Sequence, residues 1–387
     1  MPGDVEISIV MPCLNEADTL ETCIRKAQQG LSENGIRGEI VVADNGSTDG
    51  SQAIAERLGA RVVPVQRKGY GHALMGGIEA ARGRFVLMGD ADDSYDFREL
   101  PKFVEPLRSG HDLVQGCRLP AGGGTIEAGA MPWSHRWIGN PLFSALSTWW
   151  FRAKIHDVYC GMRAFTKDLF HKLDLRCAGM EFATEMIIKA SLYEAKITEV
   201  PITLHPDGRT SHKPHLKTMR DGWRTLRFFL MYTPKWLFLV PGLLLIALGL
   251  VGYALALPGV RIGWVHFDAH TLLFASLFMI CGYQALNFAV FARTFAVQEG
   301  LVPEDSHLAK LFQVITLEKG LLIGFVACAL GLWLLLSAVN QWRLTGFTDM
   351  DYAGTMRWVV PGVTLLTLGF QTILSGFFVS ILGMHRR

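Results

Sequence analysis

The sequence predicts an α/β domain built on a mostly parallel sheet, followed by a membrane domain of four helices. Two observations lead there. Through residues 7–204, short β-branched runs alternate with amphipathic stretches, the pattern of strands covered by helices on both faces of a sheet. Farther on, four stretches, 236–257, 269–292, 320–342 and 358–384, contain no Asp, Glu, Lys or Arg, and each is long enough to cross a bilayer as a helix. The 387 residues hold 37 Lys or Arg and 35 Asp or Glu, a net charge of +2, so the charge is confined to the segments outside those stretches. A wholly soluble protein, a disordered one and a secreted disulfide scaffold are all excluded by this division.

Each element has a local reason. Residues 7–11, 39–43, 61–65, 85–88 and 113–115 are short apolar runs rich in Val and Ile, suited to a pleated, buried surface. Between them, 17–31, 49–58, 72–81 and 97–107 repeat apolar residues at helical spacing. A loop of small residues at 121–132 is long enough to be a substrate loop. Helical patterns return at 140–151, 167–173 and 181–193, and 197–204 reads as a strand. In parallel sheets ligands bind beyond the carboxyl ends of the strands. Polar clusters stand at 12–16, 44–49 and 89–96, after the first, second and fourth strands.

Three parts follow: a soluble α/β domain over 1–212, an amphipathic helix lying in the membrane interface over 213–235, and a membrane domain over 236–387. In the middle part Leu216, Met219, Trp223, Leu226 and Leu230 form an apolar stripe beside Lys213, Lys217, Arg220, Arg224 and Arg227, which suits the cytoplasmic headgroup region. Basic residues near the spans set the orientation. Arg220, Arg224, Arg227, Lys235, Arg293, Lys310, Lys319, Arg386 and Arg387 outweigh Arg261, Arg343 and Arg357, which places both termini and the soluble domain in the cytoplasm. Residues 1–20 lack the pattern of a secretory signal, so the soluble domain is expected to stay where it is made. The seven cysteines form no CxxC pair and read as reduced thiols. No basic stripe interleaved with aromatics suggests a nucleic acid, and the sequence is compatible with a homo-oligomer. Within the spans, His270, Gln284, Asn287 and Gln371 are expected to hydrogen-bond between helices.

The most informative cluster is 89–96, in which Asp90, Asp92, Asp93 and Asp96 follow an apolar strand. Four carboxylates so close repel one another unless solvated or bridged by a cation, and oxygen-only ligands favour Mg²⁺ or Mn²⁺. An acidic turn capping the next helix would use the same residues. A second acidic loop, 44–49, opens on the same rim, and Arg67 and Lys68 precede a Gly69-Tyr70-Gly71 turn able to reach an anion. That turn follows the third strand and lacks the third glycine of a dinucleotide fingerprint, and no P-loop occurs.

With these motifs in place, the chain resembles the GT-A-fold, family 2 inverting glycosyltransferases. Pro12-Cys13-Leu14-Asn15-Glu16, the segment 44–49 and the Asp90-Ala91-Asp92 (DxD) segment resemble their nucleotide-sugar site. Segments 112–118, 157–165 and 199–202 are similar to the polyprenyl-phosphate (dolichyl-phosphate) mannose and glucose synthase branch. The resemblance spans residues 6–235. It implies that Asp44, with Pro12, Asn15 and Glu16, holds the base and ribose of a nucleotide-sugar donor, and that Lys68 serves the same donor. It implies that Asp90 and Asp92 hold Mg²⁺ or Mn²⁺ on the diphosphate, with Asp93 as a further catalytic carboxylate and the candidate for the third metal ligand, and that Arg118, Arg136 and Arg163 hold the acceptor phosphate. Two positions depart from the family: Asn45 replaces a second Asp, and Ser94 replaces a metal-binding Gln. The segment beginning at Arg209 matches the family's Gly-x-Ser-Lys pattern only loosely.

The expected function is metal-dependent, inverting transfer of a hexose, glucose or mannose, from a UDP- or GDP-linked donor to a polyprenyl or dolichyl phosphate at the cytoplasmic membrane face. Two rivals are a processive polysaccharide synthase, whose QxxRW motif is absent, and a lipid transporter with a nucleotide-sensing domain, which would require charges inside the spans.

Overall fold

The computed structural model describes residues 5–209, 218–303 and 316–383. Of the residues singled out above, Lys213, Leu216, Lys217, Lys310, Arg386 and Arg387 lie outside the described residues, as do the side chains of Met219 and Arg220. The chain divides into two compact units, Met1–Phe229 and Leu230–Arg387.

The first unit is built on β1 (Ile7–Cys13), β2 (Gly38–Asp44), β3 (Arg61–Pro64), β4 (Phe85–Met88), β5 (Leu113–Cys117), β6 (Thr125–Ile126), β7 (Arg163–Thr166), β8 (Ile197–Pro201) and β9 (Thr203–Leu204). Seven of these form one sheet in the order β3-β2-β1-β4-β7-β5-β8. All its pairings are parallel except those of β7, which runs antiparallel to both β4 and β5. Sequence patterning does not reveal β7. Its four residues are too few to show a period, and its place is decided by the strands on either side. The expected strand 197–204 breaks at Ile202, after which β9 pairs with β6 in a separate two-stranded sheet.

Helices α1 (Leu20–Glu33), α2 (Ser51–Arg57), α3 (Tyr70–Ala80), α4 (Pro101–Arg108), α5 (Asn140–Phe151), α6 (Lys167–Leu173) and α7 (Glu181–Leu192) cover the sheet. The two-residue period of β1 divides the core. Ile7, Ile9, Met11 and Cys13 pack with Leu20, Cys23 and Ile24 of α1 and Phe103 and Val104 of α4. Val10 faces the other side, with Leu74 and Ile78 of α3 and Phe182 and Met186 of α7. This alternation fixes the register Cys13↔Asp44 and Val10↔Met88, so the segments after β1, β2 and β4 leave the sheet at one edge. The segment after β5 leaves at that edge too, because β4 and β5 are parallel across β7.

Helix α8 (Thr218–Tyr232) follows. Its packed face differs from the expected stripe: Thr225, Phe228 and Phe229 are buried, while Trp223, Arg224 and Arg227 are exposed. The Phe229 ring meets Phe143 and Phe151 edge-on, at centroid distances of 5.8 and 5.4 Å.

In the second unit, α9 (Val240–Ala256), α10 (Ala269–Gln298), α11 (Leu317–Leu344) and α12 (Tyr352–Leu382) are long and apolar enough to cross a membrane, α9 together with the turn Lys235–Leu239 that precedes it. Small residues let the helix backbones touch. A Cβ at Gly331 would lie 2.7 Å from the Gly362 carbonyl, and one at Gly369 would lie 2.6 Å from that of Gly324. Between these helices the Tyr253 hydroxyl donates to Thr364 Oγ1 (2.9 Å) and bonds with the Ser276 hydroxyl (2.6 Å), and the Tyr283 and Thr372 hydroxyls bond with each other (2.6 Å). The amides expected in that role differ: Asn287 Nδ2 and Gln371 Oε1 are buried without a hydrogen-bond partner. A hydroxyl can turn on a single bond to find a partner, whereas an amide must place a whole planar group.

Candidate active site

Three loops meet beyond the carboxyl ends of β1, β2 and β4. The first, from Pro12 to Glu16, turns at Asn15, whose φ of 61° is left-handed, a conformation Asn tolerates better than most residues. Its side chain then reaches across: Asn15 Oδ1 accepts from the Thr48 amide at 2.8 Å, while its own N–H donates to Ser47 Oγ at 2.9 Å. The Glu16 amide donates to Ser51 Oγ (3.0 Å) and the Ala17 amide to Asp49 Oδ2 (2.9 Å). First and second loops are therefore one cross-linked unit.

Asp44 ends β2 and is nearly buried. Its carboxylate accepts from the Gly46 amide (3.0 Å), the Ser47 amide (3.2 Å) and Gln52 Nε2 (2.6 Å). Burial pushes its pKa up, but these donors outweigh burial and hold it below the ordinary carboxylate range. Asn45, noted above only as a departure from the family, organises the third segment. Its Nδ2 donates to the Val65 and Arg67 carbonyls (2.9 and 2.8 Å), its Oδ1 accepts from the Gly69 amide (2.9 Å), and Lys68 Nζ donates to its carbonyl (2.5 Å). An aspartate here would lack the two N–H donors that hold 65–67.

The Gly69-Tyr70-Gly71 turn lies against residues 177–178, where the Gly71 amide donates to the Ala178 carbonyl at 2.9 Å and any Cβ on Gly71 would collide with the Cys177 carbonyl. It presents Tyr70, whose hydroxyl donates to Asp90 Oδ1 at 2.9 Å. Burial and the neighbouring Asp92 push the Asp90 carboxyl up to about 6, against Tyr70, Arg209 and Arg118, which favour its charged form. Asp92 Oδ1 accepts from Ser94 Oγ (2.5 Å) and the Ser94 amide (3.1 Å). Ser94 thus orients a carboxylate rather than serving as a third ligand itself. Asp93 does not join the pair. In a left-handed conformation, φ 63°, it turns its carboxylate to Lys26 Nζ at 2.8 Å. Among the described residues, no group of three His, Cys, Asp or Glu side chains is arranged to hold a metal ion alone.

Arg209, marked in the sequence only as the start of a loose match to a family segment, enters this site. Its Nη2 lies 2.7 Å from Asp92 Oδ2 and its Nε 2.9 Å from Glu16 Oε2. Arg209 and Asp92 are 117 positions apart, so no local signal marks the contact.

The three arginines expected to hold the acceptor phosphate differ in placement. Arg118 leaves β5 at the same edge and forms a buried two-point pair with Asp157, Nε to Oδ2 at 2.7 Å and Nη2 to Oδ1 at 2.8 Å. Glu199 holds that partner in place by accepting from the amides of His156 (2.7 Å) and Asp157 (3.1 Å). Arg136 lies over the Trp137 ring, at 5.3 Å, with its Nε buried and without a hydrogen-bond partner. It lines a cavity of about 340 Å³ between the loop after Arg118 and α5, together with Leu119, Pro120, Trp137, Pro141 and His156. Arg163 is a correction to the expectation. It is fully buried on β7, and its guanidinium donates to the Ala183 and Cys160 carbonyls, so it braces the interior and does not reach a ligand at the rim.

Residues 8–174 match the family described as glycosyl transferase family 2, and residues 290–383 match the glycosyltransferase family 2 C-terminal transmembrane region. The chain is 36% identical over 378 residues, 97% of its length and 89% of the relative's, to the low-salt glycan biosynthesis hexosyltransferase Agl6 of Haloferax volcanii. It is 31% identical to a dolichyl-phosphate hexose transferase of the same organism, over 51% of this chain and 82% of that one. Among solved structures, glucosyl-3-phosphoglycerate synthase from Mycobacterium tuberculosis aligns over 58% of this chain and 78% of its own, with a TM-score of 0.46 and 24% identity. With a matched catalytic domain, a matched membrane region and a relative aligned along nearly its whole length, this chain belongs to glycosyltransferase family 2 and is a glycosyltransferase.

Proposed function

We propose that the protein transfers a hexose from a UDP- or GDP-linked donor to a polyprenyl or dolichyl phosphate, with inversion, using Mg²⁺ or Mn²⁺, at the cytoplasmic face of a membrane. The observation that carries the reading is the pair Asp90 and Asp92, set side by side on the rim that the donor loops share. Two carboxylates suit a cation whose shell is completed by substrate phosphates, and the upward push that Asp92 exerts on Asp90 is the mutual repulsion that a divalent ion between them would relieve. When bound, such a cation neutralises the leaving nucleoside diphosphate.

The chain's own groups divide the remaining work. Pro12, Asn15, Glu16, Asp44 and Lys68 line the loops expected to take the donor's base, ribose and phosphates. Arg136 lines the apolar cavity and Arg118 immediately precedes Leu119 in its wall, and these two groups are assigned to an anionic headgroup joined to a hydrocarbon chain. A phosphate monoester is largely dianionic at neutral pH, so it attacks the anomeric carbon without a strong general base. Alignment of the two substrates then supplies most of the catalysis. A relative named a dolichyl-phosphate hexose transferase supports the lipid acceptor, and one named a hexosyltransferase of glycan biosynthesis supports the hexose. Four helices among the described residues are long and apolar enough to anchor the chain in a bilayer, the phase in which a prenyl chain dissolves. Trp223, Arg224 and Arg227, exposed on α8, support the interfacial placement of residues 213–235.

A ligand bound only by the native state raises its stability. UDP-glucose or GDP-mannose, tested with Mn²⁺, is therefore expected to raise the melting temperature of the purified chain. No shift with either sugar nucleotide refutes the donor assignment.

A further inference from the structure

The acidic rim already has a cation of its own. Arg209 Nη2 is 2.7 Å from Asp92 Oδ2, Nε is 2.9 Å from Glu16 Oε2, and the three side chains are only 12%, 14% and 11% exposed. The arginine is held in turn by Asp207, whose Oδ1 accepts from the Arg209 amide at 2.9 Å and lies 3.5 Å from its Nε. The other oxygen of Asp92 is taken by Ser94. Both oxygens of one proposed metal ligand are thus engaged by donors from the chain. A divalent ion on Asp92 Oδ2 would stand beside the guanidinium, and the two positive groups would repel.

We propose that Arg209 is a built-in counter-charge that competes with the divalent cation for Asp92, so that the cation binds tightly only together with the nucleoside diphosphate. The proposal rests on the metal-dependent reading above. The diphosphate resolves the competition because it offers the planar guanidinium a two-point anionic partner in exchange for the carboxylate. The same arginine touches Glu16 in the first donor loop and Asp92 in the cation turn, so its release registers the arrival of the donor where the cation must sit. Binding of cation and nucleotide is then coupled, and by linkage each raises the affinity for the other by the same factor. An arginine that merely braced the loops would leave the cation's affinity unchanged or lower it when removed.

The test is a titration of Mn²⁺ into the purified full-length chain, read by electron paramagnetic resonance, with and without UDP or GDP. Arg209→Gln is expected to tighten Mn²⁺ binding in the absence of nucleotide by roughly 5–150-fold, the usual range of coupling between sites, and to reduce the further gain on adding nucleotide. Arg209→Lys keeps a charge but cannot span Glu16 and Asp92 at two points. It should fall between the wild type and Arg209→Gln, and it provides the comparison if the glutamine variant does not fold. Unchanged or weaker Mn²⁺ binding without nucleotide in either variant overturns the proposal while leaving the metal-dependent reading in place. Absence of Mn²⁺ binding to the wild type even with saturating UDP and GDP overturns both.

Discussion

Arg118 and Asp157 tolerate substitution poorly, because each leaves the other stranded if it is lost. The pair is buried, with Asp157 wholly inaccessible. Removing one partner of such a pair typically costs about 3–5 kcal/mol, since an uncompensated charge stays behind. Asp157→Ala is therefore expected to destabilise the domain by about that amount in urea unfolding of the detergent-solubilised chain. A loss below about 1 kcal/mol would mean that water or another group replaces the carboxylate. At this scale the sequence discloses which residue types are present but not how they share their bonds. Arg118, Arg136 and Arg163 look alike in a string of letters. Only the fold shows that the first is paired with a carboxylate, the second stands at a cavity and the third is spent on carbonyls inside the sheet.

Glu39 joins several elements at the sheet edge opposite the active site. It accepts from Ser8 on β1 (2.7 Å), from Arg61 on β3 (2.8 Å) and from the Arg82 amide before β4 (2.7 Å). Burial pushes its pKa up, but these donors outweigh it and set the group below the usual glutamate value of 4.5. A carboxylate with a depressed folded pKa contributes stability above its unfolded pKa and loses it as pH falls through the folded one. Glu39→Gln is expected to cost about 1.5–3 kcal/mol at pH 7, the range for hydrogen bonds to a charged group. The deficit should shrink as pH falls below about 4.5, when unfolding of wild type and variant is followed across that range; a deficit that stays constant would assign the effect to packing. Element by element, β1, β2 and β4 are legible because each pairs an apolar run with a polar cluster at its end. β7 is not, since four residues antiparallel to their neighbours carry no periodic signal. The face by which α8 packs is not legible for a related reason: Phe228 and Phe229 are adjacent, and adjacency reveals nothing about which side of a helix finds a partner.

At the scale of the molecule, a domain with an acidic rim and a domain of four apolar helices suit two substrates of opposite solubility. The charge map of the sequence already separates these parts, and the motifs at 12–16, 44–49 and 90–92 already point to one rim. What the sequence leaves out is the long-range closure of that rim by Arg209. The central claim is that Asp90 and Asp92 serve the transfer of a sugar to a lipid phosphate. The most direct measurement gives the purified chain polyprenyl phosphate, labelled UDP-glucose or GDP-mannose, and Mn²⁺ or Mg²⁺, and follows label into the lipid phase. Lipid-linked sugar should form with the wild type and fall by about a hundredfold or more in Asp92→Ala or in excess chelator, as expected when a principal source of charge stabilisation is lost; undiminished labelling in either case would contradict the account.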